Sequence, residues 1–171
     1  APPQIIPLVE VVKGELTSDE TVELVVALLK KVDRVPVVME KFDPLDALQL
    51  IEGHRASHSQ WVPTMFVRML KLDEEDRLRH DVSSMQVAVH AAAPCPIEVK
   101  RQMMDWWGPV LWEYYAGTEL NGFCLVKPEE WLERPGTVGK PLIGEIHILD
   151  EEGKELPPGE AGTIYFAGGP P

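Results

Sequence analysis

Val110-Leu111-Trp112-Glu113-Tyr114-Tyr115-Ala116-Gly117-Thr118-Glu119 places an apolar, aromatic-rich run directly before a small-residue turn that carries a hydroxyl and a carboxylate. Val110 to Tyr115 has the composition of a β-strand. An α/β sheet presents its ligand-facing loops at the carboxyl ends of its strands, so the turn sits where chemistry is expected. Two readings stand side by side. In one, Thr118 hydrogen-bonds a phosphate oxygen and Glu119 holds a Mg²⁺ ion that bridges phosphates. In the other, the turn is a polar closure of a buried strand and meets no ligand.

The segments before it alternate strand and helix. Met85 to His90 reads as a buried strand, Ala91-Ala92-Ala93-Pro94-Cys95-Pro96 as a small-residue turn, and Pro96 as the opening of a helix that reaches Trp107. Upstream, Ser57 to Val62 reads as a strand, and Thr64 caps a helix through Leu72. Asp43-Pro44 is a helix start, with Asp as N-cap and Pro at the first helical position. Leu45, Leu48 and Leu50 or Ile51 give that helix a buried face, and Gly53 closes it. Residues 4 to 12 read as a strand, and Thr17 with Glu20 as a capping box. Val22, Val25, Val26, Leu29 and Val32 recur at helical spacing, which predicts a helix over 18–32. With a strand at Val35 to Met39, this makes a βαβ-like unit.

After Gly144 the texture changes. Glu145 to Leu149 alternates, Asp150 to Gly153 is a hairpin turn, and Gly162 to Phe166 is another strand, so a β-meander is expected. The expected fold is therefore α/β: a layered sheet with helices, then a small β-hairpin subdomain. The expected divisions are 1–38, 39–142 and 143–171.

Composition narrows the function. The chain has 171 residues, 44% hydrophobic and 26% charged, which is the balance of a globular protein with a real core. A formal net charge of −12 leaves no basic stripe for a nucleic-acid backbone. The longest apolar runs, such as Val22 to Leu29, fall far short of the roughly 20 residues of a membrane span. Cys95 and Cys124 have no zinc or disulfide spacing, and a reducing cytoplasm is the expected setting. The beginning at Ala1-Pro2-Pro3 and the end at Gly169-Pro170-Pro171 suggest a piece of something longer.

Several segments together resemble the middle of an acyl-CoA synthetase of the adenylate-forming superfamily, over about residues 38–168. Val62-Pro63-Thr64-Met65-Phe66 is similar to its V-P-T-M-F segment. His90-Ala91-Ala92-Ala93-Pro94 is similar to its G-A-A-P turn, Tyr115 to Glu119 to Y-G-x-T-E, and Arg134 to Pro141 to R-x-G-(T/S)-V-G-x-P. The resemblance implies that Thr118 contacts the α-phosphate and Glu119 the Mg²⁺. It implies that Tyr115 lies beside the adenine, with Ala92, Ala93 and Pro94 along the nucleotide and Ala116 and Gly117 completing the turn. ATP or AMP with Mg²⁺ would be the cofactors of the parent family, and a nucleotide and an acyl-CoA its small-molecule partners. Ala91 and Ala116 depart from glycines common in that family. The Ser/Thr/Gly-rich phosphate loop ending in Lys-Gly, the T-G-D aspartate and the lid lysine do not occur in these residues. The resemblance thus implies a chain that lacks most of the catalytic set and binds, on its own, little or no cofactor.

Residues 1–38 resemble instead the last βαβ stretch of the NAD domain of 3-hydroxyacyl-CoA dehydrogenases, with Ala1 in place of the Asn of an H-x-x-N-P-P motif. This implies a chimeric or truncated chain. An alternative from another class is a non-catalytic α/β module that forms homo-oligomers through exposed sheet edges.

Other candidates have plainer readings. His54 and His58 share the i, i+4 spacing of a helical metal pair, but no third ligand is evident and Ser57 reads as a strand start. His90 is either a satisfied polar residue at a strand end or a pocket wall. Cys95 stands near a helix start, where a thiolate is favoured, yet the role of a small buried residue suits its Ala-Pro setting. Trp106, Trp107, Trp112, Tyr114 and Tyr115 are either a stacking face or core.

Overall fold

Prolines and short polar side chains set where the helices of this chain begin. A computed structural model describes residues 8–12, 17–31, 35–39, 42–117 and 121–168. The chain is mixed α/β and divides into two compact units, residues 1–111 and 112–171.

The first unit opens with β1 (Leu8–Val12), α1 (Asp19–Lys31) and β2 (Val35–Met39). β1 and β2 pair in parallel, Leu8 opposite Val35 through Val12 opposite Met39, as the βαβ reading expects. The capping-box expectation is corrected. Ser18 takes that role: its Oγ accepts from the Thr21 backbone N–H at 3.2 Å, and the helix starts at Asp19. Residues 4–7 of the expected strand, Val32 of the expected helix, and Ala1 to Pro3 lie outside the described residues.

Next come α2 (Pro44–His54), β3 (His58–Trp61), α3 (Pro63–Leu70), α4 (Glu74–Arg79), β4 (Val87–His90) and α5 (Ile97–Trp107). Asp43 caps α2 as expected, accepting from Leu45 N at 2.9 Å and Asp46 N at 3.2 Å, with Pro44 in the first turn. Pro44, Ala47, Leu48 and Ile51 form its buried face. Gly53 does not close it; Arg55 does, in the left-handed region at φ 47°, with its N–H returning to Glu52 and Ile51. Nor does Thr64 cap α3: Pro63 begins that helix after an extended Val62, and Thr64 is exposed. β3 and β4 pair in parallel, Trp61 opposite His90, and Ala88 N–H reaches Val110 O at 2.8 Å. Trp61, Phe66, Met69, Met103 and Trp107 fill the core of this unit.

The second unit holds most of β5 (Leu111–Ala116), then β6 (Phe123–Val126), α6 (Pro128–Glu133), β7 (Lys140–Ile143), β8 (Glu145–Leu149) and β9 (Thr163–Ala167). β6 pairs antiparallel with both β5 and β7, and β8 and β9 form the expected hairpin. Trp131 of α6 and Cys124 and Val126 of β6 are buried.

The Arg134 to Pro141 segment folds back on β6. Gly136 and Gly139 have φ of 91° and 88°, and Gly139 N–H donates to Thr137 Oγ1 at 3.1 Å. A β-carbon at Gly139 would run into the Leu125 carbonyl. The left-handed backbone alone penalises alanine by about 1–2 kcal/mol, and the overlap with main chain adds to it. Gly139→Ala is therefore expected to lower unfolding stability by about 3 kcal/mol or more, read from the urea midpoint at unchanged slope. A loss under about 0.5 kcal/mol would show that the loop moves away freely.

Candidate functional site

In the first unit the candidate residues follow β4. Its last residue, His90, is fully buried, and its ring meets Phe66 edge-on at 5.6 Å. Immediately after it the chain turns outward. Ala91 is buried, whereas Ala92, Ala93 and Pro94 are exposed. The turn needs a left-handed residue, and Ala92 supplies it at φ 73°. An L-residue with a β-carbon adopts that conformation at a cost, and glycine does not. The three exposed residues project nothing beyond a proline ring, so a flat molecule could lie close to their backbone.

Burial, and secondly the charge of Lys100, pushes the His90 imidazole down to about 3. Lys100 is itself buried on α5, and neither residue is without a partner. His90 is thus a neutral, buried residue near neutral pH. Cys95 is half-buried just before α5 and is not part of a disulfide.

In the second unit the candidate residues close β5. Tyr114 stacks on Phe123 at 5.3 Å and 15°, and Tyr115 on Phe166 at 6.2 Å and 25°. Tyr115 keeps 40% of its surface exposed, enough for one ring face or edge to meet a ligand. The register places Tyr115 opposite Cys124 and Ala116 opposite Phe123, and Gly117 is exposed beyond them. Gly122 makes the Tyr115 platform feasible, because a β-carbon there would strike the Phe166 ring. Sequence reading missed Phe166 as a partner; its one signal was a glycine just before β6. Thr118 and Glu119 lie outside the described residues.

The two groups belong to different units: Ala92, Ala93 and Pro94 to the first, Tyr115, Ala116 and Gly117 to the second. Each stands at the carboxyl end of its own strand, the position where α/β folds meet ligands.

The other candidates separate. His54 ends α2 while His58 opens β3 and pairs with Ser57 Oγ at 2.9 Å, so they share no helix face. Among the described residues no cluster of His, Cys, Asp or Glu is arranged to hold a metal ion. Trp107 is core, Trp106 is half-buried beside it at 5.8 Å, and Trp112 lies under the Lys127 ammonium at 5.6 Å. A cavity of about 280 Å³ lined by Glu74, Arg77, Leu78, Gln102, Asp105 and Trp106 shares no wall with either turn.

Residues 34–170 match the sequence model of the family described as AMP-binding enzyme. The chain belongs to that family. Residues 1–42 match a second family, the 3-hydroxyacyl-CoA dehydrogenase NAD binding domain. Among curated relatives, the chain is 30% identical over 136 residues to the medium/long-chain-fatty-acid–CoA ligase FadD8 of Mycobacterium tuberculosis, covering 77% of this chain and 23% of that protein. Among solved structures, the amide bond synthetase McbA from Marinactinospora thermotolerans superposes with a TM-score of 0.68 at 28% identity, covering 92% of this chain and 32% of that one. An anthranilate CoA ligase, AuaEII, solved with anthranoyl-AMP, gives a TM-score of 0.62 at 25% identity, covering 76% and 25%. The chain spans about a quarter of the length of the curated relatives it matches.

Two outcomes follow from the site's geometry. Ala92→Gly is expected to raise stability by about 1 kcal/mol, since the folded strain removed exceeds the unfolded-state entropy added. A fall in the urea midpoint would mean that the turn relaxes without strain. The second concerns acid. Because His90 has a folded-state value of about 3 against 6.5, its contribution is fully present above pH 6.5. Between 6.5 and 3 the unfolded chain binds a proton that the folded chain refuses, so stability falls by about 1.4 kcal/mol per pH unit. His90→Gln should remove that part of the slope in unfolding titrations from pH 7 to 4. An unchanged slope would place the histidine in contact with water.

Proposed function

We propose that residues 38–168 are the central part of an ATP-dependent acyl-CoA synthetase. The parent reaction joins a carboxylic acid to ATP, giving an acyl-adenylate and pyrophosphate; the CoA thiol then displaces AMP to give acyl-CoA. The observation that carries this reading is the pair of ligand-suited segments at strand carboxyl ends, Ala92 to Pro94 after β4 and Tyr115 to Gly117 closing β5, with Ala92, Ala93, Pro94, Tyr115 and Gly117 exposed. Exposed alanines and a half-open tyrosine ring suit the faces of a planar base.

In this reading Ala92, Ala93 and Pro94 lie along the nucleotide, and Tyr115, Ala116 and Gly117 flank the adenine. The Thr118 hydroxyl would donate to an α-phosphate oxygen and orient it, and the Glu119 carboxylate would hold Mg²⁺, which would supply positive charge to offset that of the phosphates. Residues 1–38 form a dehydrogenase-like segment, 39–142 the α/β part of the AMP-binding domain and 143–171 its β-meander. Cys95 and Cys124, which form no disulfide, suit a reducing cytoplasm.

The 171 residues by themselves do not form acyl-adenylate. Adenylation depends on groups that position and neutralise the phosphates, and the Lys-Gly phosphate loop, T-G-D aspartate and lid lysine are not among these residues. Calorimetry with Mg²⁺-AMP tests the nucleotide reading. Weak binding is expected, at least about tenfold weaker in Glu119→Ala, a loss of about 1.4 kcal/mol. No heat, or heat unchanged in the variant, removes the site. ATP–pyrophosphate exchange by the same chain should stay at background, and robust exchange would refute the inactivity.

A further inference from the structure

Helix α1 carries two apolar stripes, and β1 and β2 account for one of them. At about 100° per residue, Val22, Val25, Val26 and Leu29 share one side of the helix. These four are half-buried, in keeping with the contacts α1 makes with β1 and β2. On the opposite side Glu20, Leu24, Ala27, Leu28 and Lys31 share a second stripe, again roughly 100° wide. All five are exposed, Leu24 at 70% and Leu28 at 61%. A helix apolar on two sides is normally packed on two sides. No residue of α1 is buried, so the second side is open.

The charges that bracket this stripe choose its occupant. Asp19, Glu20 and Glu23 cluster at the amino end, Lys30 and Lys31 at the carboxyl end. If two copies of α1 met in parallel, acid would face acid and lysine would face lysine. Laid antiparallel about a two-fold axis, Leu24 of one copy meets Leu28 of the other, and Glu20 of each lies beside the partner's Lys31. The helix dipoles also oppose favourably in that arrangement. The stripe is therefore self-complementary, as a two-fold interface requires. We propose that two copies of this chain associate through the outer face of α1, antiparallel, with Leu24 and Leu28 as the seam and Glu20–Lys31 pairs at both ends.

This interface is independent of the nucleotide reading and differs from sheet-edge pairing, which would use the strands. It is small: one 13-residue helix per copy buries less than the roughly 1,200 Å² of a standard stable interface. A Kd of about 10⁻⁵ to 10⁻³ M follows.

Sedimentation equilibrium of the 171-residue chain, from about ten micromolar to one millimolar, tests it. Wild type should show a monomer–dimer equilibrium. Leu24→Ser with Leu28→Ser should weaken it at least tenfold, with far-UV circular dichroism unchanged because both side chains are already exposed. Glu20→Lys and Lys31→Glu should each dimerise poorly alone, since each loses both cross-pairs. Mixed in equal amounts, the two variants should recover a dimer, because the mixed pair restores opposite charges at both ends. That recovery also covers the case in which the double serine variant fails to fold. A monomer at every concentration, a dimer indifferent to the serine changes, or no recovery on mixing overturns the proposal. Sheet-edge pairing would give the second of these results. Binding of α1 to anionic lipid vesicles without self-association would give the first.

Discussion

The Trp61 indole organises the first unit. It ends β3 and is nearly inaccessible, with Phe42 edge-on at 6.1 Å, Trp107 edge-on at 5.3 Å and Phe66 tilted at 5.8 Å. Those three rings precede α2, belong to α3 and end α5, so one side chain brings three helical segments to a single strand end. Edge-to-face contacts of this kind contribute about 0.5–1.5 kcal/mol each beyond the area they bury. Phe66 extends the cluster to His90, which stands opposite Trp61 in the parallel ladder. The turn that starts at Ala91 thus leaves a rigid base. The same packing keeps His90 uncharged, which ties the acid stability of this unit to its aromatic core.

The second unit depends more on absent side chains than on large ones. Gly139 lets the Arg134 to Pro141 loop lie on the Leu125 carbonyl, and Gly122 lets Phe166 reach a position under Tyr115. Each is a close approach of main chain or ring that a single methyl group would prevent. The exposed tyrosine face at the end of β5 is consequently built by residues from β5, the approach to β6, and β9. Its orientation comes from stacking and register, not from the turn itself.

Much of the alternation of strand and helix was legible. Asp43-Pro44, the 22-25-26-29 spacing and the hairpin around Asp150 carry their own mechanisms: a cap, a periodicity, a turn. The misreadings have a common physical origin. Thr17, Thr64 and Gly53 are all good local signals, yet Ser18, Pro63 and Arg55 take their places. Several neighbouring residues can satisfy the same helix end, and tertiary packing selects among them. Residues 120–143 gave no clear period, and their strands and helix (β6, α6 and β7) form through pairing with distant partners and burial of Trp131. The family was legible because its motifs are short, glycine- and proline-marked and widely spaced.

By itself the sequence determined the α/β class, the positions of the two turns and membership in the AMP-binding enzymes, since each rests on local chemistry or on motif spacing. Only the tertiary structure decided that His90 is a neutral core group, that Ala92 bears the left-handed strain, that Phe166 supports Tyr115, and that α1 has an open apolar face. Those facts depend on which distant atoms come within a few ångströms, and no local pattern encodes that.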